Sequence, residues 1–66
     1  MSAQRVIRDY KARHGLTYRE LAQRLGIGPD LARKLGCGLR TRTSIRTARR
    51  IERRTQGGIR VVDLVL

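Results

Sequence analysis

An all-α fold, a small bundle of four to five helices, is predicted by three features of the sequence. Apolar residues recur at three- and four-residue spacing in several short segments. Glycines, singly or nearly paired, close those segments at lengths typical of short globular helices. One segment opens with Thr17-Tyr18-Arg19-Glu20, the Thr-x-x-Glu capping box in which each side chain satisfies a backbone donor near the other. With 66 residues, the chain is expected to form one domain over 1–66. A chain of this size buries only about 60% of its unfolded surface, so its core is marginal and a dimer would support it.

The first helix is predicted from Ser2 to about Arg13. Ser2 can cap it, and Ala3, Val6, Ile7 and Tyr10 form an apolar stripe with Arg5, Arg8, Lys11 and Arg13 off that stripe. Gly15 supplies the stop, and Leu16 is placed to act as a hydrophobic staple for the next helix. That helix starts at the capping box, with Leu21, Ala22 and Leu25 on one face and Gly26 at its end, where a left-handed residue is needed. Ile27 follows as an apolar plug. Pro29 then opens a third helix at a first position, where its missing N–H costs nothing. Ala32 and Leu35 turn this helix inward, and the glycines of Gly36-Cys37-Gly38 are expected to end it. A basic, hydroxyl-rich loop, Arg40-Thr41-Arg42-Thr43, comes next. Ser44 or Thr43 caps a fourth helix to about Thr55, with Ile45, Ala48 and Ile51 as its inward stripe and Gly57-Gly58 as its break.

The stretch Thr17–Leu35 resembles the DNA-binding helix-turn-helix of the Cro and phage-repressor type, the lambda-repressor-like family. The matching residues are Glu20-Leu21-Ala22, Leu25-Gly26-Ile27, Ala32 and Leu35, with the motif over about 17–36. A preceding helix, a Gly-basic loop and further helices extend the resemblance over most of the chain. It departs from the family pattern in two places. Gly28 stands where Ser or Thr commonly caps the second helix of the motif, and Leu31 precedes a small Ala32 where a larger aliphatic is usual. Leu31 is expected to pack inside, the alternative being that it faces the groove and meets a thymine methyl.

The resemblance implies a transcriptional repressor that binds a partly palindromic operator as a homodimer. The second helix of the motif would enter the major groove with its N-terminal half. Base contacts then fall to Pro29, Asp30, Arg33 and Lys34. Arg33 leads, because bidentate arginine–guanine pairing is the commonest specific contact. Asp30 can accept from a cytosine amino group, or simply answer the helix dipole and orient Arg33 or Lys34. Phosphate contacts are expected from Thr17, Tyr18 and Arg19 at a helix start, from Arg40, Thr41, Arg42 and Thr43 in the loop, and from Arg46. The arginines late in the fourth helix are expected to supply long-range attraction. The family often carries a short fifth helix with a pair like Asp63-Leu64. The tail 59–66 is therefore read as a short helix reaching the dimer partner, although its β-branched residues also suit a dimer-pairing strand.

Composition bears on the same choice. A net charge of +11, carried almost entirely by arginine, predicts a polyanionic partner. Double-stranded DNA is the leading one. A nucleic-acid-binding module of low sequence preference, on RNA or DNA, is the alternative, though two tyrosines with no Phe or Trp offer few stacking platforms. Punctuated helices without large apolar faces argue against a membrane-active peptide. No apolar run reaches transmembrane length and no signal peptide is visible, so the cytoplasm of a bacterial or phage-infected cell is the expected compartment. The single Cys37 excludes an internal disulfide and a cysteine-rich metal site, and His14 reads as a cap or surface residue. The five carboxylates are scattered and no nucleophile–base pair is apparent. No enzyme activity, cofactor or small-molecule ligand is therefore expected.

Overall fold

A computed structural model describes residues 3–65. It contains five helices in chain order: α1 (Ala3–Arg13), α2 (Tyr18–Leu25), α3 (Pro29–Cys37), α4 (Ile45–Arg54) and α5 (Val61–Val65). No strand occurs among the described residues. The expected Ser2 cap lies outside them.

The helix boundaries follow from local chemistry. At the start of α2, the Thr17 hydroxyl accepts the Glu20 N–H at 3.1 Å and the Glu20 carboxylate accepts the Thr17 N–H at 2.9 Å, a complete capping box. At its end Gly26 takes φ 72°, and the Ile27 N–H reaches back to the Ala22 carbonyl at 3.0 Å. The same closing bond, from a residue to the carbonyl five before it, ends α1 (Leu16 to Lys11, 3.0 Å), α3 (Leu39 to Lys34, 2.9 Å) and α4 (Gly57 to Glu52, 2.9 Å). Ser44 caps α4 through the Thr47 N–H at 3.3 Å.

One core receives side chains from every helix. Ala3, Ile7 and Tyr10 come from α1, Leu21, Ala22 and Leu25 from α2, and Ala32 and Leu35 from α3; Ala48 and Ile51 of α4, Leu64 of α5 and Ile59 before it complete the core. Val6, Leu16, Ile27 and Leu31 pack on its edge. Leu31 thus turns inward, as expected. α3 packs against both α1 and α2, while α4 packs against α5 and α2. Of the tail, Val61–Val65 is helical and Leu66 lies outside the described residues; Ile59 and Leu64, both fully buried, anchor the segment, and the Asp63 carboxylate accepts the Arg60 N–H ahead of the helix at 3.3 Å.

Two expectations need correction. Ile45 does not join the inward stripe: it is 57% exposed. At about 100° per residue it lies some 60° around the helix from Ala48 and 120° from Ile51, beyond the arc the core covers. Gly36 does not end α3 but lies buried inside it, and Gly38, at φ 80°, makes the turn instead. α4 ends at its cap Thr55, as expected, and the break runs through Gln56 to the glycine pair. Gln56 takes a left-handed φ of 54°, an unusual conformation for a side-chain-bearing residue.

Candidate nucleic-acid interface

The helix α3 is anchored by Ala32 and Leu35, both fully buried. Its opposite side is open: Pro29, Asp30 and Arg33 are exposed and Lys34 is half-buried. Asp30 sits between two cations on this side, 3.1 Å from Lys34 Nζ and 3.5 Å from an Arg33 guanidinium nitrogen. The Lys34 contact, with Arg33 adding to it, holds the Asp30 carboxyl below its ordinary value. Asp30, Arg33 and Lys34 therefore share one surface, on which Asp30 braces the two long cationic side chains, while Pro29 is exposed at the start of the helix. Gly28 gives the start of α3 no side-chain cap.

The basic loop is tied at both ends. The Arg40 N–H donates to the Lys34 carbonyl at 3.1 Å, so the loop leaves directly from the last turn of α3. At the far end the Thr43 N–H donates to the Leu64 carbonyl of α5 at 3.0 Å. Between these ties Arg40, Thr41 and Arg42 are exposed, and Thr43 is half-buried. Arg46 follows on the exposed side of α4's first turn. Among the described residues, Arg40, Arg42 and Arg46 have no side-chain hydrogen bond or ion pair. α5 thus serves the site by fixing the loop, a role the sequence did not suggest.

The start of α2 lies against the end of α3 through Tyr18. A Cβ added at Gly36 would lie 2.6 Å from Tyr18 Cε1, so the ring occupies the space a side chain there would need. Lys11 Nζ stands 4.8 Å from the centre of the same ring. Burial raises the Tyr18 pKa, and the neighbouring Cys37 thiol adds to the effect. Tyr18 is a packing residue at least as much as a surface one. Arg19 is exposed, whereas the Thr17 hydroxyl and amide are both engaged by Glu20.

Two arginines late in α4 do something more specific than long-range attraction. Arg54 donates to the Gln23 carbonyl at 2.9 Å and to the Arg24 carbonyl at 3.2 Å, and Arg50 donates to the Gly26 carbonyl at 3.4 Å. They close the C-terminal end of α2, where unpaired carbonyls and the helix dipole favour cations. The only sequence signal for this was their i, i+4 spacing beside the buried Ile51. Beside them runs an open groove of about 740 Å³, lined by five α4 arginines with Gly26 and Ile45.

Elsewhere, His14 is exposed and its ring lies 4.3 Å from that of Tyr10, and Cys37 is exposed. The five carboxylates fall one to a helix, and no three His, Cys, Asp or Glu side chains cluster among the described residues. No helix of the described chain is long and apolar enough to cross a membrane. The chain matches no protein-family model, no curated protein and no solved structure.

Proposed function

We propose that this protein is a sequence-specific double-stranded DNA-binding regulator of the lambda-repressor-like helix-turn-helix type, acting as a repressor. The observation that carries this reading is the two-sidedness of α3. Ala32 and Leu35 are fully buried on one side, and Asp30, Arg33 and Lys34 form a braced polar set on the other. A helix so anchored can present side chains to base edges in a major groove. The three-residue connection Gly26-Ile27-Gly28 between α2 and α3 supports the same type of motif. The tethered Arg40–Thr43 loop, Arg19 and Arg46 would grip phosphates on either side, and the charge of +11 would draw the chain to DNA.

In this reading the protein works as a homodimer on a partly palindromic operator, with half-sites about 34 Å apart. Val62, 45% exposed on α5, offers apolar surface for the second copy. A phage Cro-like regulator, an antitoxin and a mobile-element regulator all fit these features, and the reading places the protein in the cytoplasm of a bacterial or phage-infected cell. The reading assigns the chain no catalysis and no cofactor.

Selection of bound duplexes from a random pool tests this proposal. A recurrent, partly symmetric site is the expected result. A pool that stays random after several rounds would instead favour a backbone binder without sequence preference, the alternative that the high arginine charge alone would support.

A further inference from the structure

Apart from Arg46, the residues lining the groove along α4 have no part in the proposed grip on DNA. At about 100° per residue, Arg46, Arg49, Arg50 and Arg53 share the arc of α4 facing away from the buried Ala48 and Ile51. Arg50 and Arg54 are engaged with the end of α2. Arg46, Arg49 and Arg53 are exposed, have no hydrogen bond or ion pair among the described residues, and line a groove that contains no carboxylate. Like charges three and four residues apart repel one another and weaken a helix. A row of them held around an open groove points to a polyanion as the occupant.

We propose that Arg46, Arg49 and Arg53 form a track for the phosphodiester backbone of DNA flanking the segment that α3 contacts. This rests on the preceding reading of α3. The groove adjoins the candidate interface at two places: Gly26 stands two residues before Gly28, which opens α3, and Arg46 stands two residues after Ser44, which closes the basic loop. Two residues span at most about 7 Å. The major groove that admits a helix is about 12 Å wide, so a bordering strand falls within reach of an arginine side chain. The steps along α4 are about 4.5 Å from Arg46 to Arg49 and about 6 Å from Arg49 to Arg53, a line of cations suited to a line of anions.

The lining chooses among occupants. It has no aromatic residue on which bases could stack, which disfavours single strands. Its one apolar side chain is Ile45, too little for the buried anchors that carry a protein–protein interface. Arginines alone suit a phosphate backbone, read without regard to sequence.

The test uses the full chain and two duplexes sharing the selected site, one trimmed to it and one extended by about one helical turn on each side. The variant Arg49→Gln/Arg53→Gln is compared with Arg8→Gln/Arg13→Gln, which removes equal charge from α1, and with Arg49→Lys/Arg53→Lys. Affinity is measured by fluorescence anisotropy across a salt series. The glutamine pair in α4 should reduce the salt slope on the extended duplex by about four, the release expected for two lost phosphate contacts from each subunit of the dimer, and leave the trimmed duplex unchanged. The lysine pair should keep the slope, and the α1 control should act on both lengths alike. Equal loss on both lengths, loss no greater than the α1 control, or no loss would each overturn the proposal. Its failure is distinct from failure of the α3 reading, which appears as absence of sequence preference in the wild-type chain on either length.

Discussion

The Tyr18 ring lies against Gly36, so close that a single added methyl at Gly36 would stand 2.6 Å from Tyr18 Cε1 and 2.7 Å from its hydroxyl. This contact sets how the start of α2 meets the end of α3, and it gives a substitution whose sign depends on its partner. In the wild-type chain, Gly36→Ala crowds the ring, at a cost of about 1–3 kcal/mol that exceeds the roughly 1 kcal/mol gained in helix propensity. In a Tyr18→Ala background the crowding is gone and the same change should stabilise by up to about 1 kcal/mol. Urea denaturation of the four proteins reads this inversion directly. Destabilisation of equal size in both backgrounds would mean the ring is not what Gly36 accommodates.

The capping box on α2 makes a pH-dependent prediction. Hydrogen bonds from Thr17 hold the Glu20 carboxyl below its ordinary 4.5, and Lys34 does the same for Asp30 from 3.8. A depressed folded-state value means the carboxylate stabilises the fold fully above its unfolded value, and that stabilisation is lost as pH falls through the folded value. The Tm should therefore be flat near neutrality and fall as pH drops below about 4.5. Glu20→Gln, which keeps a capping-box acceptor without a charge, should flatten part of that fall. Thr17→Ala should cost about 1 kcal/mol at neutral pH.

Removing the Arg54 clamp should loosen the end of α2. Arg54→Ala deletes donors to the Gln23 and Arg24 carbonyls on an exposed edge, and about 1 kcal/mol is the expected loss. Arg54→Lys keeps the charge but not the two-pronged geometry, and should recover only part of it. Hydrogen exchange of the Ile27 amide, bonded to the Ala22 carbonyl at the same turn, should quicken in both variants. Unchanged exchange would show that the turn holds without the arginine.

These cases also show what the sequence could and could not disclose. The capping box, the Gly26 turn and the Pro29 start were legible because each is settled within about four residues of chain. The Gly36 contact joins residues from different helices, and the Arg54 clamp reaches 31 positions along the chain to Gln23. No local pattern encodes either one. Ile45 has the right spacing to Ala48 but sits outside the arc that α5 and α2 cover, which only packing decides. The tail is β-branched enough to read either way, and only the packed chain, with Ile59 and Leu64 buried, shows the helix Val61–Val65. For the candidate site, Asp30, Arg33, Lys34 and the loop arginines were all nameable from sequence. The brace among the first three and the tether of the loop to Leu64 were not.

The brace has its own consequence for binding. Asp30 holds both Lys34 and Arg33 and carries negative charge on the surface proposed to face DNA. Asp30→Asn should strengthen binding to all duplexes and narrow the gap between preferred and random sequence. Titration against both kinds of duplex checks this. A selective loss on the preferred site alone would instead assign Asp30 a base contact of its own.

The loop and α3 should separate by the kind of loss they produce. Arg42→Gln should weaken every duplex alike and lower the salt slope by about one for each subunit bound. If it abolished preference at one base pair instead, the loop would be reading sequence rather than backbone.

Competitive titration of the wild-type chain and Arg33→Ala against a selected duplex and random duplex at one salt concentration is the most direct test of the groove assignment of α3. The wild-type chain should prefer the selected duplex by at least ~10³. Arg33→Ala should lose about 1–3 kcal/mol of that preference, confined to one position in each half-site. Equal affinity of the wild-type chain for both duplexes, or an Arg33→Ala protein with full discrimination, would contradict it.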